Sequence, residues 1–136
     1  MARLEYALVA EAARLDAGGT VSILGGAFTK LLVAGVPAQA PMSVVGRVTM
    51  ERGEDPARLR LSLVGPDEAF KVSLDSEVAA PTDEAPPGTT PGTLFVLTTL
   101  LPVLKTGLFT VSVRLEDQEP IALRFVVAVN DPPPEA

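Results

Sequence analysis

The chain contains no cysteine, no histidine and no tryptophan, and Tyr6 is its single tyrosine. Without cysteine there is no disulfide, no thiolate nucleophile and no cysteine-based zinc site. Without histidine the chain lacks the commonest general base and the commonest ligand of transition metals. The scarcity of large aromatic rings leaves few surfaces on which a sugar or a nucleic-acid base could stack. These absences remove most of the usual catalytic and metal-binding arrangements.

Charge and hydropathy exclude further classes of function. The net charge is −6 and only 21% of the residues are charged, whereas a protein that binds a nucleic-acid backbone needs a basic surface. We therefore expect no nucleic-acid partner. A membrane-spanning helix needs about 18 uninterrupted apolar residues, and no segment approaches this length, so we expect no membrane partner. Glu5 stands where a signal peptide would be apolar, and we expect a cytoplasmic protein.

The 136 residues, 47% of them hydrophobic, are sufficient for one domain with a core of ordinary size. We expect a single domain over residues 1–130. The last six residues include three consecutive prolines, which predicts a disordered tail over 131–136.

The clearest pattern lies between Thr106 and Asn130, where two segments carry an apolar residue at every second position. A period of two is typical of a strand with one buried face. The segments, 109–115 and 121–129, are separated by the polar residues 116–120. They predict a β-hairpin, which must pack on a second apolar layer to be stable.

The alternation also limits the register of this hairpin. The apolar residues of both segments have odd numbers. Directly opposed residues of an antiparallel pair lie on the same face, so both apolar stripes face the core only if the numbers of opposed residues add to an even sum. This requires a loop with an odd number of residues. We favour the five-residue loop 116–120, which pairs Val113 with Leu123 and keeps Pro120 out of the ladder. A three-residue loop would pair Val113 with Ile121 instead.

Residues 3–15 fit two structures. Apolar residues four apart are compatible with a helical face, and those two apart are equally compatible with a strand. We favour the strand, because the turn signal at 16–19 is followed by the β-like segment 20–24, which together predict a hairpin. Gly25 and Gly26 then predict a bulge or a close backbone approach before Phe28.

The opening block resembles the start of a family of small uncharacterised bacterial proteins. The residues that carry this resemblance are Ala2-Arg3-Leu4-Glu5-Tyr6-Ala7-Leu8, Asp16-Ala17-Gly18-Gly19 and Ser22-Ile23-Leu24-Gly25-Gly26-Ala27-Phe28. Members of the family begin with a similar LEYALLAD…DAGGKLSILGGGF stretch, and Thr20 stands here in place of its lysine. The resemblance is strong over the first 28 residues, Met1 to Phe28, and is loose afterwards. It implies a β-rich single domain without a known activity, and hence no functional residues.

The middle of the chain predicts further strands. Residues 31–33 continue the β pattern, and the proline-containing segment 36–41 predicts a crossing from one sheet to the other. Residues 42–51, 58–64 and 70–74 alternate in the manner of three consecutive strands of a meander. Residues 94–101 form a nearly continuous apolar run, which is typical of a strand covered on both faces. These elements predict an all-β fold, a two-sheet antiparallel β-sandwich, immunoglobulin-like or similar, with about seven to nine strands.

Residues 79–93 form the one long irregular segment, which is either functional or a tolerated excursion. Its Asp83 and Glu84, or the carboxylates of 116–119, could in principle serve acid–base catalysis or bind calcium. No spacing of acidic residues pre-forms a calcium site, and clustered carboxylates in turns are usually solvated. We expect no enzymatic activity and no cofactor. A calcium- or ligand-dependent module using the 79–93 segment remains the alternative function.

Two binding surfaces have better support. Arg47, Arg58, Arg60 and Lys71 fall on outward positions of three consecutive predicted strands, where an acidic protein segment could dock; a solvated face is the other interpretation.

Other outward positions are apolar instead of polar: Val45, Val64, Ala122, Val126, Ala128 and most of 94–101. A sheet with two apolar faces requires a partner or a covering segment. We therefore expect a non-enzymatic binding or assembly module with a protein partner or self-association, and Val126 is a candidate contact.

Overall fold

A computed structural model describes residues 1–68 and 71–130, and within them the chain forms nine β-strands and a short 3₁₀ turn at Pro66–Glu68. The strands are β1 Arg3–Asp16, β2 Thr20–Gly26, β3 Lys30–Val33, β4 Ala38–Thr49, β5 Ala57–Val64, β6 Lys71–Val78, β7 Gly92–Val103, β8 Gly107–Leu115 and β9 Ile121–Val129. The predicted tail 131–136 and Phe70, expected to lie in a strand, are outside the described residues.

Two sheets pack face to face as a sandwich, which confirms the predicted all-β fold. The four-stranded sheet has the order β2-β1-β4-β7, and the five-stranded sheet has the order β3-β9-β8-β5-β6. All pairings are antiparallel except that between β3 and β9, which is parallel. This parallel pair joins two strands that are far apart in the sequence, and nothing in the local pattern of 30–33 indicated it.

The core lies between the two sheets and consists of the apolar residues at alternate positions of the strands. In the five-stranded sheet, the rings of Phe109 and Phe125 stack with centroids 5.7 Å apart. Phe28 packs on the other side of Phe125, at 5.0 Å. Met42 and Val44 of β4 are completely buried in the four-stranded sheet. Each such side chain contributes about 1.5–3 kcal/mol on burial.

Residues 3–16 form a strand, as favoured, and not a helix. The first part of β1 pairs with β4 as far as Ala10 opposite Ser43, and the last part pairs with β2. If the pairing of β1 with β4 continued for two more residues, Ala12 would lie opposite Pro41, which has no N–H to donate to the ladder. β1 therefore leaves β4 there and continues as a hairpin with β2, closed by Gly18 and Gly19 at positive φ.

The expected bulge at Gly25 and Gly26 is absent, because the register between β1 and β2 runs unbroken to Gly26. The register shift lies in β1 instead, between Leu4 and Tyr6 where it pairs with β4. Gly25 has a φ of 61°, and a Cβ there would lie 2.3 Å from Oε2 of Glu11. The close approach, unlike the bulge, is therefore present.

The chain crosses between the sheets more often than the sequence predicted. The crossing between β3 and β4 is found where the segment 36–41 predicted it. However, β4 and β5 also lie in different sheets, so the predicted three-strand meander is wrong and only β5 and β6 are neighbours. The turn that carries the chain from β4 to β5 lies between Met50 and Ala57, and both of these residues are buried in the core. Alternation shows which residues point inward, but not to which sheet a strand belongs.

The C-terminal hairpin has the even register that parity requires, and residues 116–120 separate its strands as expected, but the register is not the one we favoured. Val113 lies opposite Ile121, the pairing of the three-residue loop. The cause is the strand on the other side of β8. Glu116 donates its N–H to the carbonyl of Arg58 at 2.8 Å, and its Oε1 accepts the N–H of Arg58 at 2.8 Å. Because Glu116 is held by β5, the chain must turn directly after Leu115.

The apolar run 94–101 lies in β7, and this strand occupies an edge of the four-stranded sheet. Its odd-numbered side chains, such as Phe95 and Leu101, are buried in the core. Its even-numbered side chains point away from the core, where none of the described strands covers them. The expectation that this strand is covered on both faces is therefore wrong for the single chain.

Candidate functional site

The outer surface of the four-stranded sheet is apolar over most of its area, and we call it the apolar face. Its members are Tyr6, Leu8, Ala10 and Ala12 of β1, Leu24 of β2, Val45 of β4, and Leu94, Val96 and Leu100 of β7. Val45 lies at the centre, opposite Leu8 on one side and Val96 on the other. It is 0% exposed although it points away from the core, because its neighbours enclose it. Leu24 and Leu100, at the margins, are 68% and 57% exposed.

The polar groups of the apolar face are already paired. Ser43 is buried beside Val45, and its hydroxyl shares a 2.9 Å hydrogen bond with the hydroxyl of Thr98. At one end of the sheet, Arg47 forms an ion pair with Glu5. The centre of the face is therefore apolar, with charge confined to its ends.

Charges at the opposite end are also paired. Nε of Arg14 lies 2.9 Å from Oδ1 of Asp16, whose other oxygen accepts a hydrogen bond from Ser22. This hydrogen bond from Ser22, with the nearby charge of Arg14, holds the pKa of Asp16 below its ordinary value of 3.8.

The outer surface of the five-stranded sheet is polar and carries most of the predicted cationic residues. Arg58 and Arg60 of β5 and Lys71 of β6 all lie on it, whereas Arg47 lies on the four-stranded sheet. The four residues therefore do not form one stripe. Lys71 pairs with Val64, four residues along β5 from Arg60, so it is also separated from the two arginines.

Sequence reasoning missed several cations of this surface, among them Arg114 and Arg124. Arg114 lies directly opposite Arg60 on β8, and Arg124 of β9 lies opposite Thr110. Both occupy outward positions of the predicted C-terminal hairpin, so the alternation of that hairpin was a usable signal. They were missed because the membership of β5 and β8 in one sheet is not visible locally.

Anionic residues share this surface with the arginines. Nε of Arg60 lies 2.9 Å from Oδ1 of Asp75, and this hydrogen bond raises the pKa of Arg60. Glu77 lies opposite Arg58. A shallow depression of about 350 Å³ is lined by these four side chains together with Arg114, Glu116 and Asp117. Its charges of both signs are mixed, which is typical of a solvated surface.

Val126 is 42% exposed on the outer surface of the five-stranded sheet. It lies between Leu108 of β8 and Lys30 of β3. The apolar outward positions predicted from the sequence are thus divided between two surfaces. Val45 and the β7 residues lie together, and Val126 lies on the opposite side of the sandwich.

The segment 79–91 is attached to the sandwich at both ends. Ala80 packs against the core, and the carbonyl of Ala79 accepts a 2.8 Å hydrogen bond from the hydroxyl of Thr93. Its carboxylate Glu84 lies 3.9 Å from Arg52. In the described part of the chain, no three side chains of the metal-binding types lie together. Among those same residues no helix is long and apolar enough to cross a membrane.

A comparison with known protein families identifies the family to which the chain belongs. A model of a family of unknown function, DUF6941, matches residues 5–128. The chain belongs to the DUF6941 family. No curated protein matches it. The match extends from within β1 to within β9, so both outer surfaces lie in the DUF6941 domain.

Proposed function

We propose that this DUF6941 protein is a non-enzymatic binding and assembly module whose binding surface is the apolar face. The observation that carries the proposal is the position of Val45, which is completely buried on the outer side of a sheet. Only its neighbours on the same face enclose it, and exposed leucines continue the surface to the margins. A contiguous apolar patch on a soluble protein is typical of a surface that contacts another protein.

The contrast between the two sheets supports this choice of surface. An antiparallel sheet that has one face in water normally alternates apolar and polar residues. In the five-stranded sheet, β5 follows the rule with Arg58, Arg60 and Ser62 at successive outward positions, whereas β9 has Val126 at such a position. The four-stranded sheet breaks it at Leu8, Val45 and Val96. An apolar centre with charges at the margin is also the usual organisation of a protein interface.

Binding is favoured over catalysis for a chemical reason. The chain has neither histidine nor cysteine, and the charged side chains of the five-stranded sheet are exposed and mixed in sign. An acid–base pair needs an environment that shifts its pKa towards the working pH, and exposed mixed charges do not supply one. We also infer that the opening block, Leu4 to Phe28, is the sequence shared with bacterial members of the family.

The proposal is tested with one charge on each outer surface. Proteins that copurify with the wild-type chain are isolated and titrated against the wild type, Leu24→Glu and Val126→Glu. Leu24 is exposed, so its variant keeps the fold, and Val126→Glu is a matched control on the other sheet. We expect Leu24→Glu to raise the dissociation constant at least about tenfold, because it places an unpaired charge in an apolar interface. Val126→Glu should have little effect.

Two results would overturn the proposal. One is a loss of binding in the Val126→Glu protein but not in the Leu24→Glu protein, which would move the interface to the five-stranded sheet. The other is a wild-type protein that binds no other chain and does not self-associate.

A further inference from the structure

β7 is an edge strand with the composition of a central strand. It has 12 residues and no charged side chain. Edge strands usually carry charges or are short, because an open edge is a template for pairing with another chain. Two of the other edges follow this rule: β3 has four residues, and β6 carries Lys71, Asp75 and Glu77. β2 follows it only in part, since its seven residues include no charge, but it is shorter than β7 and ends in Gly25 and Gly26. β7 is the longest of the described edge strands, and its stretch from Gly92 to Leu101 has neither a charge nor a proline.

The backbone groups on the free edge of β7 are identified from its pairing with β4. Met50 donates its N–H to the carbonyl of Pro91 at 3.2 Å, and the two residues are directly opposed when the register is continued by one position. In an antiparallel ladder the hydrogen-bonded pairs recur every second residue. The odd-numbered residues of β7 therefore bond to β4. The even-numbered ones direct their N–H and C=O groups to the open edge: Leu94, Val96, Thr98 and Leu100.

We infer that β7 pairs antiparallel with β7 of a second copy, which joins two four-stranded sheets into one continuous sheet. With Leu97 on the twofold axis, Leu94 lies opposite Leu100 of the second copy, and Val96 lies opposite its Thr98. All the outward N–H and C=O groups of these four residues then find partners. Pro102, which has no N–H, stays outside the paired region. Because the opposed residues have an even sum, both apolar faces lie on the same side of the joined sheet.

A second copy fits this edge better than an unrelated strand because the edge is complementary to itself. In a twofold interface, a residue that contacts a second residue of the partner copy is matched by the reverse contact on the other side of the axis. The register centred on Leu97 satisfies this condition and places no charged side chain in the contact. The same register makes the two apolar faces continuous. The dimer thus rests on the assembly role proposed above and gives it a geometry.

The edge strand β6 of the five-stranded sheet also has apolar side chains that the chain itself does not cover. Thr93 bonds to Ala79, which places the end of β6 beside the start of β7. Val72 and Leu74 of β6 point inward from the five-stranded sheet, yet they are 37% and 38% exposed. This margin of the five-stranded sheet is therefore incompletely covered within the chain.

Single cysteines test the register directly, because the chain has no cysteine of its own. In the proposed pairing, Leu97 opposes itself as a non-hydrogen-bonded pair, for which the Cα atoms are about 4.5 Å apart, within the range of a disulfide. We expect oxidised Leu97→Cys to run as a covalent dimer. Thr98→Cys, a matched control one residue away, should stay largely uncrosslinked, because its counterpart lies diagonally across the axis.

A backbone variant tests the same edge without a crosslink. Leu100→Pro removes an N–H that points away from β4, so the ladder within the chain is kept. We expect the dimer dissociation constant, measured by sedimentation, to rise at least about tenfold, because one hydrogen bond is lost on each side of the axis. Circular dichroism confirms that the variant remains folded. Val126→Glu, on the five-stranded sheet and remote from the edge, should leave the dimer intact.

Three results would overturn the inference. The first is a wild-type protein that is monomeric at about 100 µM, a concentration at which a pair of such edges should associate. The second is crosslinking at Thr98→Cys but not at Leu97→Cys. The third is a dimer that survives Leu100→Pro but is dissociated by Leu24→Glu; that outcome would show stacking of the apolar faces and would leave the proposed function standing.

Discussion

Nη2 of Arg47 donates a hydrogen bond of 2.6 Å to the carbonyl oxygen of Thr90. The same guanidinium forms the ion pair with Glu5 of β1. It also lies against the backbone where β7 begins, since a Cβ on Gly92 would be 2.8 Å from its Cζ. One side chain of β4 therefore connects the N-terminal strand, the end of the segment 79–91 and the start of β7.

This connection predicts a measurable loss of stability. We expect Arg47→Met to lower the free energy of unfolding by about 1–2 kcal/mol, because it removes a charged hydrogen bond to a carbonyl together with a partly buried ion pair. Urea unfolding measures the loss, and limited proteolysis should show faster cleavage within 79–91. Arg52→Met is the matched control. Its exposed pair with Glu84 spans 3.9 Å and should contribute less than about 0.5 kcal/mol. Equal effects of the two variants would contradict the role of Arg47.

Gly46 predicts a packing defect in the four-stranded sheet. A Cβ at this position would lie 2.3 Å from Cζ of Phe95 and 2.6 Å from the carbonyl oxygen of Tyr6. We expect Gly46→Ala to cost about 1–3 kcal/mol, since the ring must move and the backbone of β1 cannot easily do so. Gly35→Ala is the control, because a Cβ there meets nothing within 4 Å. Thermal unfolding compares them, and an unchanged midpoint in Gly46→Ala would show that the Phe95 ring repacks freely.

Stability should depend on pH only in acid. Hydrogen bonds from the backbone of Glu51 and from Lys105 hold the pKa values of Glu54 and Asp67 below their ordinary values of 4.5 and 3.8. The unfolded chain therefore binds protons at a higher pH than the folded chain. This contribution is complete above the ordinary values and is lost as the pH falls through the lower, folded ones.

Without histidine, no side chain with an ordinary pKa titrates between about pH 5 and 8, and we expect a flat profile there. Thermal midpoints from pH 3 to 8 test both statements. Asp67→Asn should make the acid decline shallower, whereas Asp83→Asn, in the exposed segment 79–91, serves as the control. A steep change near neutral pH would contradict the assignment.

Local patterns predicted the strands and their inward residues, but not the connections between them. The alternation in 109–115 and 121–129 predicted the terminal hairpin, and the turn at 16–19 decided between helix and strand for β1. The favoured register of this hairpin was wrong because the turn after Leu115 depends on Glu116 binding to Arg58, a residue 58 positions away. The position of β4 in the other sheet was missed for the same reason.

The candidate surfaces were predicted in part. The apolar character of Val45 and of 94–101 was visible in the sequence, and the structure brings them to one face. Arg47 was assigned to the wrong sheet, because outward residues of successive strands were assumed to be neighbours. An apolar run such as that of β7 predicts that both faces of the strand are covered. It does not predict whether the covering residues belong to the same chain.

The parallel pairing of β3 with β9 constrains when the protein can fold. Lys30 lies beside Val126, so β3 finds its neighbour in the five-stranded sheet only when β9 has been synthesised, about 90 residues later. Until then β3 has no neighbour, and the core around Phe28 lacks the ring of Phe125. Such long-range contacts are formed slowly, and a partly synthesised chain exposes the apolar residues that they will cover. The five-stranded sheet is therefore completed only after β9 has been synthesised, and β3 has no strand to pair with until then.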